Sequence, residues 1–161
     1  MSCLAFFRKL QRRAYSFPGH TSACPIPPYD RPPIGGKHYR LMDPCEFVAG
    51  DFFEAIPPGA DAYLMKSVLH NWDDAHARTI LQACRQAIPP AGKLLVIDSV
   101  LPPGDEPSTN KMYDLVMLTL NAGGRERTEA ELQALLAEAG FVLNGVKSAG
   151  WRQFIVEASP A

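Results

Sequence analysis

The feature that most constrains this chain is a run of nearly unbroken β-forming residues, Lys93-Leu-Leu-Val-Ile-Asp-Ser-Val100. Such a run suits a central parallel strand buried on both faces. Upstream, Ala62–Met65 is a second short apolar run. Between the two, Ile80, Leu81, Cys84, Ala87 and Ile88 form one apolar helical stripe, and Asp73 or Asp74 stands where an N-cap belongs. Pro89-Pro90 and Gly92 close that helix. Strand, helix and strand in this order predict a βαβ unit in an open α/β sheet.

One histidine and one carboxylate fall where chemistry collects in such sheets, and a second carboxylate stands in a loop before a helix. Ligands gather beyond the carboxyl ends of the strands. His70 lies just past the end of Ala62–Met65, close to Lys66 and Trp72, and is the best candidate base in the chain. A lone histidine is more often structural, so its position at a strand end is what favours function. Asp98 interrupts the long β run near its end, and burying a carboxylate there is costly without a partner. It is therefore paired or functional. Glu126 sits in Arg125-Glu-Arg127, just ahead of Thr128-Glu-Ala-Glu131, whose spacing predicts a capping box and a helix over Glu129–Ala139. A solvated charge cluster is the plainer reading of that triplet.

The remaining segments are read in the same way. Glu46–Ala49 predicts a short strand running into Gly50-Asp-Phe-Phe53, where Asp51 can accept hydrogen bonds from a nucleotide-like ligand, although most Gly-Asp pairs are simply turns. Met112, Leu115, Val116, Leu118 and Thr119 suggest a further helix, a stripe of the kind that is usually core, with Asp114, Met117 and Asn121 on other faces. Phe141–Lys147 and Arg152–Ala158 alternate well enough for a terminal antiparallel hairpin around Ala149-Gly150.

Residues 1–44 differ in character. They hold seven Lys or Arg against two acids, roughly +5, whereas residues 45–161 carry roughly −6. Seven prolines between Pro18 and Pro44 remove backbone donors and disfavour helix, so an irregular basic leader is expected, with order from residue 45 to 161. The overall balance of −1 calls for neither nucleic acid nor an anionic membrane, and no apolar run approaches the roughly eighteen residues of a span. The four cysteines lie far apart with no C-x-x-C pair, which supports no metal site and fits reduced thiols in the cytoplasm.

Four motifs in order carry a resemblance to a known family. They are Val48-Ala-Gly-Asp-Phe-Phe53, Leu64-Met-Lys-Ser-Val-Leu-His-Asn-Trp-Asp-Asp74, Pro89-Pro-Ala-Gly-Lys-Leu-Leu-Val96 and Asn121-Ala-Gly-Gly-Arg-Glu-Arg-Thr128. From Glu46 onward the chain resembles the C-terminal part of the S-adenosylmethionine-dependent O-methyltransferases of the plant caffeate and acetylserotonin type and their bacterial relatives. The resemblance implies a partial doubly wound, Rossmann-like α/β sheet ending in an antiparallel hairpin. It implies S-adenosyl-L-methionine as cofactor and methyl transfer to a hydroxyl of a small phenolic acceptor. It assigns Asp51, Phe52 and Lys66 to the cofactor, His70 to the general base with Asp98 and Glu126 flanking it, and Met117 and Asn121 to the acceptor pocket.

Departures from the family pattern matter as well. The family places Glu where this chain has Asp98, one methylene shorter, and usually Asp where it has Asn71. Its glycine-rich cofactor loop, and the helical dimerisation domain of about 100 residues that makes its members homodimers, have no counterpart in residues 1–44. On that reading the sheet lacks at least two strands. The alternative to an active enzyme is then an inactive fragment whose exposed edge and apolar faces bind a protein partner or serve nothing.

Overall fold

The structure, a computed structural model, describes residues 51–120 and 123–161 in full, together with the backbone of three short strands before them. Those strands are β1 (Cys3–Phe7), β2 (Ala14–Phe17) and β3 (Cys45–Phe47). Then come β4 (Ala62–Lys66), a 3-10 turn (Leu69–Asn71), α1 (Asp74–Ala87), β5 (Lys93–Leu101), α2 (Thr109–Leu120), β6 (Arg127–Thr128), α3 (Glu129–Glu138), β7 (Phe141–Ser148) and β8 (Gln153–Pro160).

The expected βαβ unit is present. β4 and β5 pair in parallel, Ala62 opposite Lys93 through Lys66 opposite Ile97. Asp73 caps α1, its Oδ1 accepting the His76 amide at 2.9 Å. The buried stripe of Ala77, Ile80, Leu81, Cys84 and Ala87 lies against the sheet. Tyr63 is fully buried, and its hydroxyl lies 3.0 Å from the carbonyls of both Pro57 and Ala87, tying the strand to the turn before it and to the end of α1. Gly92 leaves room for the turn, since a Cβ there would meet Ile88 Cγ1 at 2.5 Å.

The C-terminal hairpin is present too. β7 and β8 pair antiparallel, and β8 runs antiparallel to β5, Asp98 opposite Phe154. The hairpin turns through Gly150, Trp151 and Arg152, all with positive φ. α3 opens on the expected capping box, Thr128 and Glu131 each bonding the other's backbone amide. Leu132, Leu135 and Leu136 meet Phe141, Val156 and Ala158 in one core with Met65, Leu94 and Val96.

Three expectations are corrected. β5 is central, between β4 and β8, yet its residues 94–97 alternate between buried and half-buried, so one face is covered far better than the other. The α2 stripe is not core. Met112, Leu115 and Leu118 are 64%, 59% and 65% exposed. Nor is the leader irregular throughout. β1 pairs antiparallel with β4 and with β2, and β3 lies parallel to β2, giving the order β3-β2-β1-β4-β5-β8-β7, with β6 joined to β5 alone. The positions beyond β4 are thus occupied, though β1 runs against β4 rather than with it. Backbone pairing across β4 satisfies donors and acceptors that proline content alone does not reveal. The proline-rich stretch from 18 to 44 lies outside the described residues.

Candidate active site

The site forms at the carboxyl ends of β4 and β5, where parallel neighbours deliver the chain to one edge. After Lys66, Ser67 adopts a positive φ of 53° and donates its amide to the Ile97 carbonyl at 2.9 Å. That sharp exit leads into the 3-10 turn holding His70. Asn71 Nδ2 returns to the Ser67 carbonyl at 3.0 Å and tightens the loop.

His70 Nδ1 lies 3.1 Å from Asp98 Oδ1 and 3.3 Å from Glu126 Oε1. Asp98 and Glu126 are 4% and 3% exposed, while the imidazole is partly open to solvent. The contact with Glu126 has hydrogen-bond geometry. Asp98 meets the ring as an ionic neighbour, and neither of its oxygens, nor Glu126 Oε2, has a hydrogen-bond partner. The shorter side chain at position 98 therefore still reaches the histidine. Both contacts engage Nδ1, which leaves Nε2 as the ring nitrogen free to take a proton.

Electrostatics follow from burial and charge together. Burial by itself depresses the His70 pKa, but the Glu126 hydrogen bond and the charges of Asp98 and Glu126 outweigh it, and the net shift is upward from 6.5. Burial pushes Asp98 up to about 6, against the attraction of His70. The donor atoms of the three residues lie within 4.8 Å of one another, so they also form a set able to ligate a cation. A protonated imidazole meets the same need, since it supplies the positive charge between the two carboxylates.

Sequence reasoning missed the residues that hold the cluster in place. Asp114 on α2 accepts the Glu126 amide at 2.8 Å. Arg127, read as part of a solvated triplet, is 2% exposed and clamps the turn around His70. A charge triplet after two glycines has no periodicity that separates buried from solvated members. The pairing of β6 with β5 fixes Arg127, and the bond to Asp114 holds Glu126.

The remaining candidates are more dispersed. Asp51 Oδ1 accepts the Phe53 amide at 2.8 Å, which holds its carboxylate at the start of a turn. Phe52 is 2% exposed and belongs to the core, so the half-buried ring of this motif is that of Phe53. Phe53 packs edge-on against Trp72 at 4.7 Å, bringing the Asp51 turn beside the segment that follows His70. Lys66 ends β4 with an exposed side chain, and Met117 is half-buried on α2. Asn121 lies outside the described residues. A cleft of about 740 Å³ opens elsewhere, lined by residues including Val100, Pro102, Thr128 and Phe154, and none of the histidine cluster borders it. The converging titratable groups, rather than cavity size, mark the site. Among the described residues no helix is long and apolar enough to cross a membrane.

Comparison with known proteins matches the sequence and the fold to a family. Residues 37–142 match the O-methyltransferase domain family. The chain is 45% identical over 118 residues to a phenazine O-methyltransferase, PhzM, of Lysobacter antibioticus, covering 73% of this chain and 34% of the relative. The crystal structure of LaPhzM superposes with a TM-score of 0.72 at 43% identity, covering 76% of this chain and 36% of that one. An O-methyltransferase from neocarzinostatin biosynthesis, solved with S-adenosylmethionine and 2-hydroxy-5-methyl naphthoic acid, superposes with a TM-score of 0.66 at 37% identity, covering 75% and 35%. The chain spans about a third of the length of the relatives it matches. Its partial doubly wound sheet with a C-terminal antiparallel hairpin is the Rossmann-like fold of these neighbours. With the family's motifs in order, its fold superposed and two-thirds of the residues inside its boundaries, the chain belongs to the O-methyltransferase domain family.

Proposed function

We propose that this protein acts in S-adenosylmethionine-dependent methyl transfer to a hydroxyl of a small phenolic acceptor, with His70 as the general base. The observation that carries this reading is the single imidazole held by two buried carboxylates through Nδ1, with Nε2 left for the acceptor.

The cofactor, when bound, supplies an electrophilic methyl group. Asp51, held by its own turn, and the adjoining Phe53–Trp72 surface fit its nucleoside end, with Lys66 exposed at the neighbouring strand end. No glycine-rich loop occurs among the described residues at this edge, so they account for part of the cofactor only. The protein's remaining task is to align an oxygen and remove its proton. A phenol with a pKa near 10 is mostly protonated at neutral pH, and an imidazole is a suitable acceptor for its proton. Glu126 accepts from Nδ1–H, which fixes the tautomer and stabilises the imidazolium as it forms. Asp98 adds negative charge from the other side.

One observation favours a second reading, a chain that does not methylate by itself. The apolar side chains of α2 are open to solvent, Leu118 at 65% and Leu120 at 70%. Calorimetric titration with S-adenosylhomocysteine separates the two. Micromolar binding supports the enzyme, and no binding in a folded sample supports the second reading. In an active sample, His70→Gln should lower turnover with phenolic acceptors by roughly 10²–10⁴-fold. An unchanged rate would remove His70 from the role of base.

A further inference from the structure

Arg127 is a guanidinium in the core, 2% exposed. A buried charge demands partners, and the identity of those partners shows what it is for. Nη1 donates to the Leu69 carbonyl at 3.0 Å and Nη2 to the Trp72 carbonyl at 2.8 Å. Nε donates to Asp74 Oδ1 at 2.9 Å. The two carbonyls bracket His70 along the chain.

The turn they belong to has little to hold it by itself. It spans Leu69–Asn71 and is closed by two local bonds, Asn71 to Val68 and Trp72 to Leu69, each 3.1 Å. Short 3-10 segments have poor internal geometry and leave terminal carbonyls without partners. Arg127 supplies a partner to the Trp72 carbonyl and a second donor to the Leu69 carbonyl, which already accepts the Trp72 amide. The Arg125 amide adds a third tie, donating to the His70 carbonyl at 2.9 Å. Arg127 is itself anchored, because β6 pairs with Val100 and Leu101, just beyond Asp98 on β5. The segment from 125 to 128 is thus fixed to the strand carrying one carboxylate, presents the other as Glu126, and grips the backbone of the imidazole.

We propose that Arg127 is a positioning residue whose forked contacts to the Leu69 and Trp72 carbonyls hold His70 Nδ1 against Glu126 and Asp98. Its bearing on catalysis rests on the reading of His70 as base, but the positioning itself is measurable without turnover.

The groups facing His70 give the test a definite sign. They are Asp98 on β5, Glu126 and Arg127 on the segment around β6, and Asp114 on α2 one hydrogen bond further out. Acting only as a nearby charge, Arg127 is replaced in full by another cation, so Arg127→Lys would leave the His70 pKa unchanged. Acting as a positioning residue, it maintains the carboxylate contacts, so its removal leaves burial unopposed and the pKa falls.

The experiment is an NMR titration of the imidazole rings in the full chain, with His70 assigned by its loss in His70→Gln. Arg127→Met is expected to lower the His70 pKa by roughly half a unit or more. An unchanged or raised His70 pKa in folded Arg127→Met would overturn the proposal. Arg127→Lys decides, also where Arg127→Met does not fold, because it keeps the charge and loses the fork. A lowered His70 pKa then supports positioning, and an unchanged one overturns it. Cofactor titration of the unaltered chain is read separately, so failure of the methyltransferase reading leaves this result interpretable.

Discussion

A histidine between two buried carboxylates has its proton placed by burial as much as by charge. Asp98 stands at about 6 in the fold against 3.8 for the free group, so the folded protein holds that proton more tightly. Its contribution to stability is full below the lower value and is lost as pH rises through the upper one. His70, raised above 6.5, contributes stability that is present below that value and lost as pH rises through its folded pKa. Both act in the same direction. Thermal melts should therefore show the unaltered protein losing stability relative to Asp98→Asn between about pH 4 and 6. Parallel curves would mean that Asp98 titrates normally and is not desolvated. His70 and Asp98 were legible in the sequence because a strand end is a place where a polar residue is conspicuous. Glu126 was legible only through family resemblance, since its neighbours Arg125 and Arg127 look like any solvated triplet.

Among the elements, α3 is held by its capping box as well as by Leu132, Leu135 and Leu136 in the core. Thr128 joins three functions in one residue. It pairs in β6, begins α3, and follows the arginine that grips the histidine turn. Thr128→Ala removes a side-chain acceptor from the Glu131 amide and should cost about 1 kcal/mol in denaturant titration, with the slope unchanged. A loss near zero would show that water replaces the cap. The helix start was readable from four residues, because capping chemistry is local. The exposure of α2 was not, because a stripe of Met112, Leu115 and Leu118 reads the same whether it is covered or left bare.

Across the whole molecule, the described sheet extends past β4 through strands that the composition of residues 1–44 did not suggest. Antiparallel pairing of β1 along all of β4 means that the leader protects an edge of the βαβ unit. Deleting residues 1–17 should lower the melting temperature by several degrees, because loss of 1 kcal/mol moves a domain of this size by about 2–4 °C. It should also promote aggregation through the unpaired β4 edge. A melt that stays in place would show that this pairing adds no stability and that the leader is dispensable.

By itself the sequence determined the βαβ unit, the capped helices, the C-terminal hairpin and the order of the family's motifs. Each of these rests on periodicity or on contacts a few residues apart. Only the tertiary structure decided that Asp98, despite its short side chain, reaches the same imidazole nitrogen as Glu126. It alone decided that Arg127 is buried beneath the turn, and that β1 lies against β4. Those outcomes join residues tens of positions apart through strand pairing, and no local pattern encodes which distant backbone a segment will meet.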